Sequence, residues 1–212
     1  MEQPFAVGCV IMASGRSTRF GSNKLLAPFG GQPLLCRAFA ATHTPLVAER
    51  VVVTRHVQVQ ELCNAQGIPV VLHDLPGRND TVRLGLAALL ERCPDLAGCM
   101  FLPGDQPLLR RATVDQLLTA FAQTQKETER VIFRLGAPAG NGPDPLVGSP
   151  VLFSNGFFQE LLTLPEGKGG SVLLHKYPTL VHTACIAQPE ELADTDTPAA
   201  LAQLEALVRE KG

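Results

Sequence analysis

The feature that most limits what this chain can fold into is a repeated change of hydrophobic period. Short apolar runs at 7–12, 51–54, 70–72 and 99–102 alternate with longer helix-like segments at 34–41, 58–66, 82–90 and 113–123. Strands that alternate with helices in this way build a mainly parallel sheet with helices packed on both faces. An α/β three-layer sandwich, with helices either side of a predominantly parallel sheet, is therefore expected. The pattern goes on with strands at 131–135, 150–153 and 180–186, helices at 157–164 and 170–176, and a closing helix at 197–208 that Thr197 and Pro198 are suited to start.

The chain has 212 residues, 45% of them hydrophobic, enough to bury one large core, and neither an internal repeat nor a charged linker divides it. One domain spanning 1–212 is expected. The stretch 136–148 is rich in glycine and proline and reads as a loop, either placed over a site or a plain surface connection.

A formal net charge of -2 argues against broad attachment to nucleic acid or to anionic lipid, since both need clustered positive charge. Residues 1–5 lack a basic segment followed by an apolar one, and no run of about 18 apolar residues follows. No membrane span and a cytoplasmic location are the expectation. Cys9, Cys36, Cys63, Cys93, Cys99 and Cys185 form no CxxC pair, so they read as reduced, mostly buried thiols rather than a zinc or disulfide framework. His43, His56, His73, His175 and His182 have no metal-ligand spacing and read as surface or satisfied structural groups.

The most informative segment follows the first strand. Residues 13–24 read ASGRSTRFGSNK: small residues that let backbone N–H groups approach an anion, with Arg16, Arg19 and Lys24 to neutralise phosphates. Neither a Walker A loop nor GxGxxG is present. A second segment, LPGDQPL at 102–108, sets Asp105 just past a strand end, where ligands commonly bind in open α/β sheets. A third, DTDTP at 194–198, spaces Asp194 and Asp196 onto one side of an extended chain, although Asp196 or Thr197 could instead cap the closing helix.

Residues 12–24 resemble the signature (L/M)A(A/S)GxSxRFGxxK of nucleotidyltransferases with a GT-A-like, Rossmann-like fold, and more narrowly the MobA-like group that includes molybdenum cofactor cytidylyltransferase. The segment around Asp105 resembles that group's GD(M/Q)P metal motif, and 194–198 its D(I/V)DTP segment. The resemblance implies a Mg²⁺-dependent enzyme that transfers a nucleoside monophosphate to the phosphate of molybdopterin and releases pyrophosphate. Asp105 is then the principal magnesium ligand, joined by Asp194 or Asp196. Arg19 and Lys24 bind the leaving phosphates, Arg16 assists, and Ala13, Ser14 and Gly15 contact base and ribose. Where the guanylyl branch carries a second glycine this chain has Ser14, which points to CTP over GTP, although the cytidylyl branch more often has a second alanine there.

Residues 76–85, PGRNDTVRLG, partly resemble the group's glycine- and serine-rich loop. This gives Gly77, Thr81 and Gly85 nucleotide-binding roles, with helix capping by Asp80 or Thr81 as the structural alternative. Residues 148–153, GSPVLF, resemble an acceptor-side motif that assigns Ser149 and Pro150, and EGKGG at 166–170 a loop that assigns Lys168 to the acceptor phosphate. The same resemblance implies a molybdenum hydroxylase as partner. Two other readings remain: transfer to a sugar phosphate or methylerythritol phosphate, and a cofactor-binding maturation chaperone without chemistry.

Overall fold

The computed structural model describes residues 5–138 and 145–211. In chain order the strands are β1 (Val7–Ala13), β2 (Pro28–Phe29), β3 (Gln32–Pro33), β4 (Val47–Thr54), β5 (Val70–Leu72), β6 (Gly98–Pro103), β7 (Ile132–Ala137), β8 (Leu146–Ser154) and β9 (Val181–Cys185). The helices are α1 (Leu35–Ala41), α2 (Val57–Ala65), α3 (Arg78–Arg92), α4 (Arg111–Gln125), α5 (Phe158–Leu162), α6 (Ser171–Lys176) and α7 (Pro198–Lys211).

Seven strands form one sheet in the order β5-β4-β1-β6-β8-β7-β9, while β2 and β3 make a separate hairpin. Strand β8 alone runs against its neighbours β6 and β7. The sheet is thus mainly parallel with helices on both faces, as the alternation of periods predicted. Strand β1 displays the physical cause. Its residues Val7, Cys9, Ile11 and Ala13 enter one apolar core with α1, α2 and α4, whereas Val10 enters the other with α3 and α5. A strand buried on both faces reads as a continuous apolar run, because either side of the pleat meets a helix layer.

The chain leaves β1 towards β4 and β5 on one side, then returns through α3 to β6 on the other. The carboxyl ends of β1 and β6 therefore flank the point where the winding reverses, the place where open α/β sheets leave a crevice. Both sequence motifs richest in chemistry, residues 14–24 and 104–107, leave the sheet there.

Several boundaries differ from the sequence expectation. The glycine- and proline-rich stretch 136–148 is not wholly loop: its ends belong to β7 and β8, and its middle, 139–144, lies outside the described residues. Helix α3 starts at Arg78, before its first apolar residue, because the Asp80 carboxylate accepts the Gly77 N–H at 3.0 Å and completes the polar first turn. Cys9, Cys63 and Cys99 are buried, with burial pushing the Cys9 thiol up to about 12, but Cys36 and Cys93 are half-buried and Cys185 is exposed. Among the described residues no helix is long and apolar enough to cross a membrane.

Gly85 was expected at the nucleotide; it instead packs α3 onto the sheet. A Cβ added there would lie 2.5 Å from Val10 Cγ1 and 2.9 Å from Val53 Cγ2. Branched strand residues cannot swing aside in a dense core, so overpacking of about 1–3 kcal/mol opposes the roughly 1 kcal/mol that alanine gains over glycine in a helix. Gly85→Ala is expected to lower the urea midpoint, and Gly85→Val to lower it further; an unchanged midpoint in both would contradict this packing role.

Candidate active site

The loop after β1 is held in place from the β4–β5 side. Thr54 Oγ1 donates to the Ala13 carbonyl at 3.0 Å, Ser14 Oγ donates to the Val53 carbonyl at 3.1 Å, and His56 Nε2 lies 2.9 Å from the Gly15 carbonyl. His73 Nε2 lies 2.8 Å from Ser14 Oγ. These contacts consume carbonyls and a hydroxyl of residues 13–15, and none uses the N–H groups of Gly15 or Arg16. The loop then turns at Ser17, whose φ of 50° is left-handed, and its hydroxyl accepts the Lys24 N–H at 3.3 Å. Asn23 Oδ1 caps the short 3-10 turn Lys24–Leu26 by accepting the Leu25 N–H at 3.2 Å, which fixes the root of the Lys24 side chain.

From the neighbouring strand, β6 ends at Pro103 and Gly104 donates its N–H to the Met12 carbonyl at 3.0 Å. A Cβ on Gly104 would meet Leu35 Cδ1 at 2.8 Å, so a larger residue at this exit would have to displace the end of that leucine. The Asp105 carbonyl accepts two bonds from Thr195, one from N–H and one from Oγ1, both 3.1 Å. Buried Glu191 adds a second tie: its carboxylate accepts from the Arg110 backbone and guanidinium and from Thr113 Oγ1. The turn after β6 and the segment before α7 are thereby locked together, although about 90 residues separate them.

At the junction Lys24 Nζ donates to Asp105 Oδ2 and, at 3.1 Å, to Asp196 Oδ1, whose other oxygen meets Arg19 at 2.6 Å. Burial alone would lower the Lys24 pKa, but its bonds to Asp105 and Asp196 outweigh that and raise it. The Lys24 hydrogen bond, followed by the charges of Lys24 and Arg19, outweighs burial and holds Asp196 low. Asp194 behaves oppositely. Asp194 is exposed and lines the cleft, and partial loss of hydration, followed by the negative charge of Asp105, pushes its carboxyl up. Thr197 Oγ1 accepts the Ala200 N–H at 3.1 Å, so Thr197 caps α7 and Asp196 is left to the ion pairs.

The motifs surround a cleft of about 720 Å³. Ser14, Gly15, Arg16, Asp105 and Asp194 line one part of it. Gly77, Arg78 and Thr81 bring the start of α3, whose N–H groups and positive dipole end favour an anion. Ser149 and Val151 come from β8, Gly169 and Gly170 from the loop before α6, and Ser171 from the start of α6. That loop is tied to α3 by the Gly167 N–H, which Asn79 Oδ1 accepts at 2.9 Å.

Of the residues singled out from sequence, Ser14, Gly15, Arg16, Gly77, Thr81, Asp105, Ser149 and Asp194 face this cleft, and Lys24, Arg19 and Asp196 form the ionic cluster at its edge. Ala13 is buried at the strand end. Pro150 is buried where β8 bulges, since Ser149 and Pro150 both fall between the paired positions Gly148 and Val151. Lys168 is exposed and does not line the cleft. Arg55, His56 and His73 were missed: Arg55 lines the cleft, and both histidines, read from sequence as isolated, bond to the loop after β1. The available signal was position, since Arg55 and His73 directly follow strand ends on the same edge of the sheet and His56 comes one residue later. Among the described residues no three His, Cys, Asp or Glu side chains converge as a complete metal cage. A second cavity of about 530 Å³, near Cys36, His43 and Arg50, has no carboxylate in its lining.

The family of MobA-like NTP transferase domains matches residues 9–191. The chain is 32% identical over 146 residues to the bifunctional protein GlmU of Clavibacter sepedonicus, covering 65% of this chain and 29% of that protein. It is 31% identical over 93 residues to the 3-deoxy-manno-octulosonate cytidylyltransferase of Neisseria gonorrhoeae, covering 44% and 37% of the two. The chain spans about a third of the length of the curated relatives it matches. Among solved structures, Rv0371c of Mycobacterium tuberculosis superposes with a TM-score of 0.79 at 24% identity over 95% of this chain and 98% of that one. The CMP:2-keto-3-deoxy-manno-octonic acid synthetase complexed with CTP superposes at 0.75 and 18% identity over 98% and 100%. At such identities the superpositions establish the shared α/β nucleotidyltransferase fold.

Proposed function

The chain belongs to the family of MobA-like NTP transferase domains, and from that premise we propose that residues 1–212 act as one cytidylyltransferase domain that joins CMP from CTP to the phosphate of molybdopterin. The single observation that carries this reading is the meeting of Lys24, Asp105 and Asp194 at the winding reversal, beside a loop whose anchoring bonds leave out the Gly15 and Arg16 N–H groups. An acceptor phosphate oxygen attacks the α-phosphorus of CTP, that P–O bond forms as the bond to the β-phosphate bridging oxygen breaks, and pyrophosphate leaves. Arg16 and Lys24 lie where charge develops on the leaving group, with Arg19 beside them, and no protein nucleophile is needed. Thr81 and the start of α3 approach the substrate phosphates from the opposite wall.

The donor set suits Mg²⁺. Asp105 and Asp194 offer hard carboxylate oxygens in one cleft, and burial, followed by the charge of Asp105, raises the Asp194 pKa, a cost that a bound cation would relieve. Mg²⁺ typically takes one or two carboxylates plus substrate phosphates, which agrees with a site that is not a closed protein cage. Bound there, it would neutralise the triphosphate and the developing charge. Asp196, already engaged by Lys24 and Arg19, holds those cations in place rather than a metal. The solved complex of Rv0371c with manganese, 22% identical and superposing with a TM-score of 0.71, is consistent with divalent-metal use.

A raised Asp194 pKa makes its folded-state charge a burden that is absent below the ordinary carboxylate range and appears as pH rises through the raised value. A cation that relieves it should therefore stabilise the protein most at neutral pH. Millimolar Mg²⁺ is expected to raise the thermal midpoint at about pH 7, with the increment shrinking towards pH 4 and absent in Asp194→Asn. Equal increments in both proteins at both pH values would remove Asp194 from the metal.

The acceptor side has Ser149 and Ser171 over an apolar wall that includes Val151 and Leu174, which suits a flat pterin ring better than a polyhydroxylated sugar. CTP is favoured by Ser14 in place of a second glycine. A molybdenum hydroxylase would be the eventual recipient of the product. The test is Mg²⁺-dependent pyrophosphate release from CTP or GTP with molybdenum-bound molybdopterin. Release with CTP supports the reading, release with GTP alone moves it to guanylyl transfer, and release only with a sugar phosphate or methylerythritol phosphate moves it to transfer onto that acceptor. Binding of molybdopterin with no pyrophosphate release would favour a chaperone.

A further inference from the structure

His73 follows β5 directly and does not line the cleft, yet its Nε2 lies 2.8 Å from Ser14 Oγ. The Ser14 hydroxyl has one proton, which it donates to the Val53 carbonyl at 3.1 Å, so His73 Nε2 must carry a hydrogen and donate it to Ser14 Oγ. The network thus assigns the neutral Nε2–H tautomer and leaves Nδ1 bare. Nδ1 is buried and has no hydrogen-bond partner among the described residues, so a second proton would have nothing to meet. The charged groups facing the ring are Arg55 at the end of β4, Asp80 in the first turn of α3, and Asp74 next along the chain. Burial, then Arg55, lowers the imidazole pKa against the opposing pull of Asp80 and Asp74.

The same corner holds the residues on either side of Ser14, through Thr54 to the Ala13 carbonyl and His56 to the Gly15 carbonyl. Three consecutive residues are therefore anchored from behind, so that residues 14–16 present a fixed backbone to the cleft. We propose that His73 is a positioning residue for nucleotide: its hydrogen bond to Ser14 holds the loop in its receiving shape, and affinity for triphosphate falls when that donor is lost. The proposal rests on the nucleotide-binding reading of this loop.

Binding of CTP with Mg²⁺, followed by calorimetry at about pH 8, tests this on the wild type, His73→Leu and His73→Gln. Leucine removes the donor, and glutamine places an amide N–H near the Nε2 position without a titrating group. At pH 8 His73→Leu is expected to bind about tenfold more weakly, the equivalent of one lost buried hydrogen bond. His73→Gln, which restores a donor, should stay within about threefold of the wild type. A His73→Leu protein that binds as tightly as wild type, or a His73→Gln protein that binds as weakly as His73→Leu, overturns the proposal while leaving the nucleotide reading intact. A wild-type protein that binds neither CTP nor GTP at pH 8 overturns both. Should His73→Leu fail to fold, Ser14→Ala, which removes the acceptor instead of the donor, takes its place, and wild-type affinity in that variant overturns the proposal.

Discussion

Asp105→Asn is expected to lower the metal-dependent turnover number about a thousandfold while the protein stays folded, a loss of roughly 4 kcal/mol of transition-state stabilisation. The substitution keeps the shape of the side chain but removes the charge that opposes Asp194 and anchors Lys24. What joins the turn after β6 to the segment before α7 is the backbone carbonyl of Asp105, held twice by Thr195, together with the buried Glu191 cluster. Neither tie involves the Asp105 carboxylate, and the asparagine oxygen can still accept from Lys24 while the repulsion of Asp194 is relieved, so stability should fall by no more than about 1–2 kcal/mol. Single-turnover kinetics at saturating Mg²⁺ and CTP, beside a thermal melt, separate the two effects. Turnover within about tenfold of wild type would take Asp105 out of the chemistry.

The way the site is assembled decides how much of it the sequence could reveal. A strand buried on both faces or a helix of four turns writes a long periodic signal, which is why the β1 run and the helices of both layers were legible with errors of a few residues at their ends. The hairpin of β2 and β3 was not, because strands of two residues complete no period. Among site residues, those at strand exits were readable: Ser14 to Arg16 and Asp105 each follow an apolar run that must end at the sheet edge. Which groups they meet was not readable, because Lys24 reaches Asp105 across 81 residues and Asp196 across 172. Gly85 illustrates the opposite failure, since a glycine near a binding loop and a glycine required for helix-on-sheet packing look the same in one sequence. His56 and His73 looked isolated because their partners are in the loop after β1, not along their own segments.

Lys24→Ala carries the second large expected effect, on activity and on the pH dependence of stability together. The ammonium is enclosed, with its side chain 12% exposed, and it separates two carboxylates that would otherwise face each other. Its loss should reduce kcat/KM for CTP about a hundredfold or more, with KM for the triphosphate rising, because a charge-assisted contact worth roughly 2–3 kcal/mol disappears from the phosphate site. Stability should fall by about 1–2 kcal/mol near neutral pH, a figure kept small because Asp196 is nearly half exposed and solvent screens the pair. The sign follows from both partners. The raised Lys24 pKa gives a contribution that is complete below the ordinary lysine value and is lost only as pH rises through the raised one. The lowered Asp196 pKa gives a contribution present above the ordinary carboxylate value and lost as pH falls through the lowered one. The gap between wild type and variant should therefore be widest across the neutral range and close in acid. Mg²⁺ should narrow it at neutral pH, since a divalent cation can replace part of the missing charge between the carboxylates. Denaturant titrations at several pH values, with and without Mg²⁺, test this. A gap of constant size down to strong acid would mean that Lys24 contributes packing rather than charge.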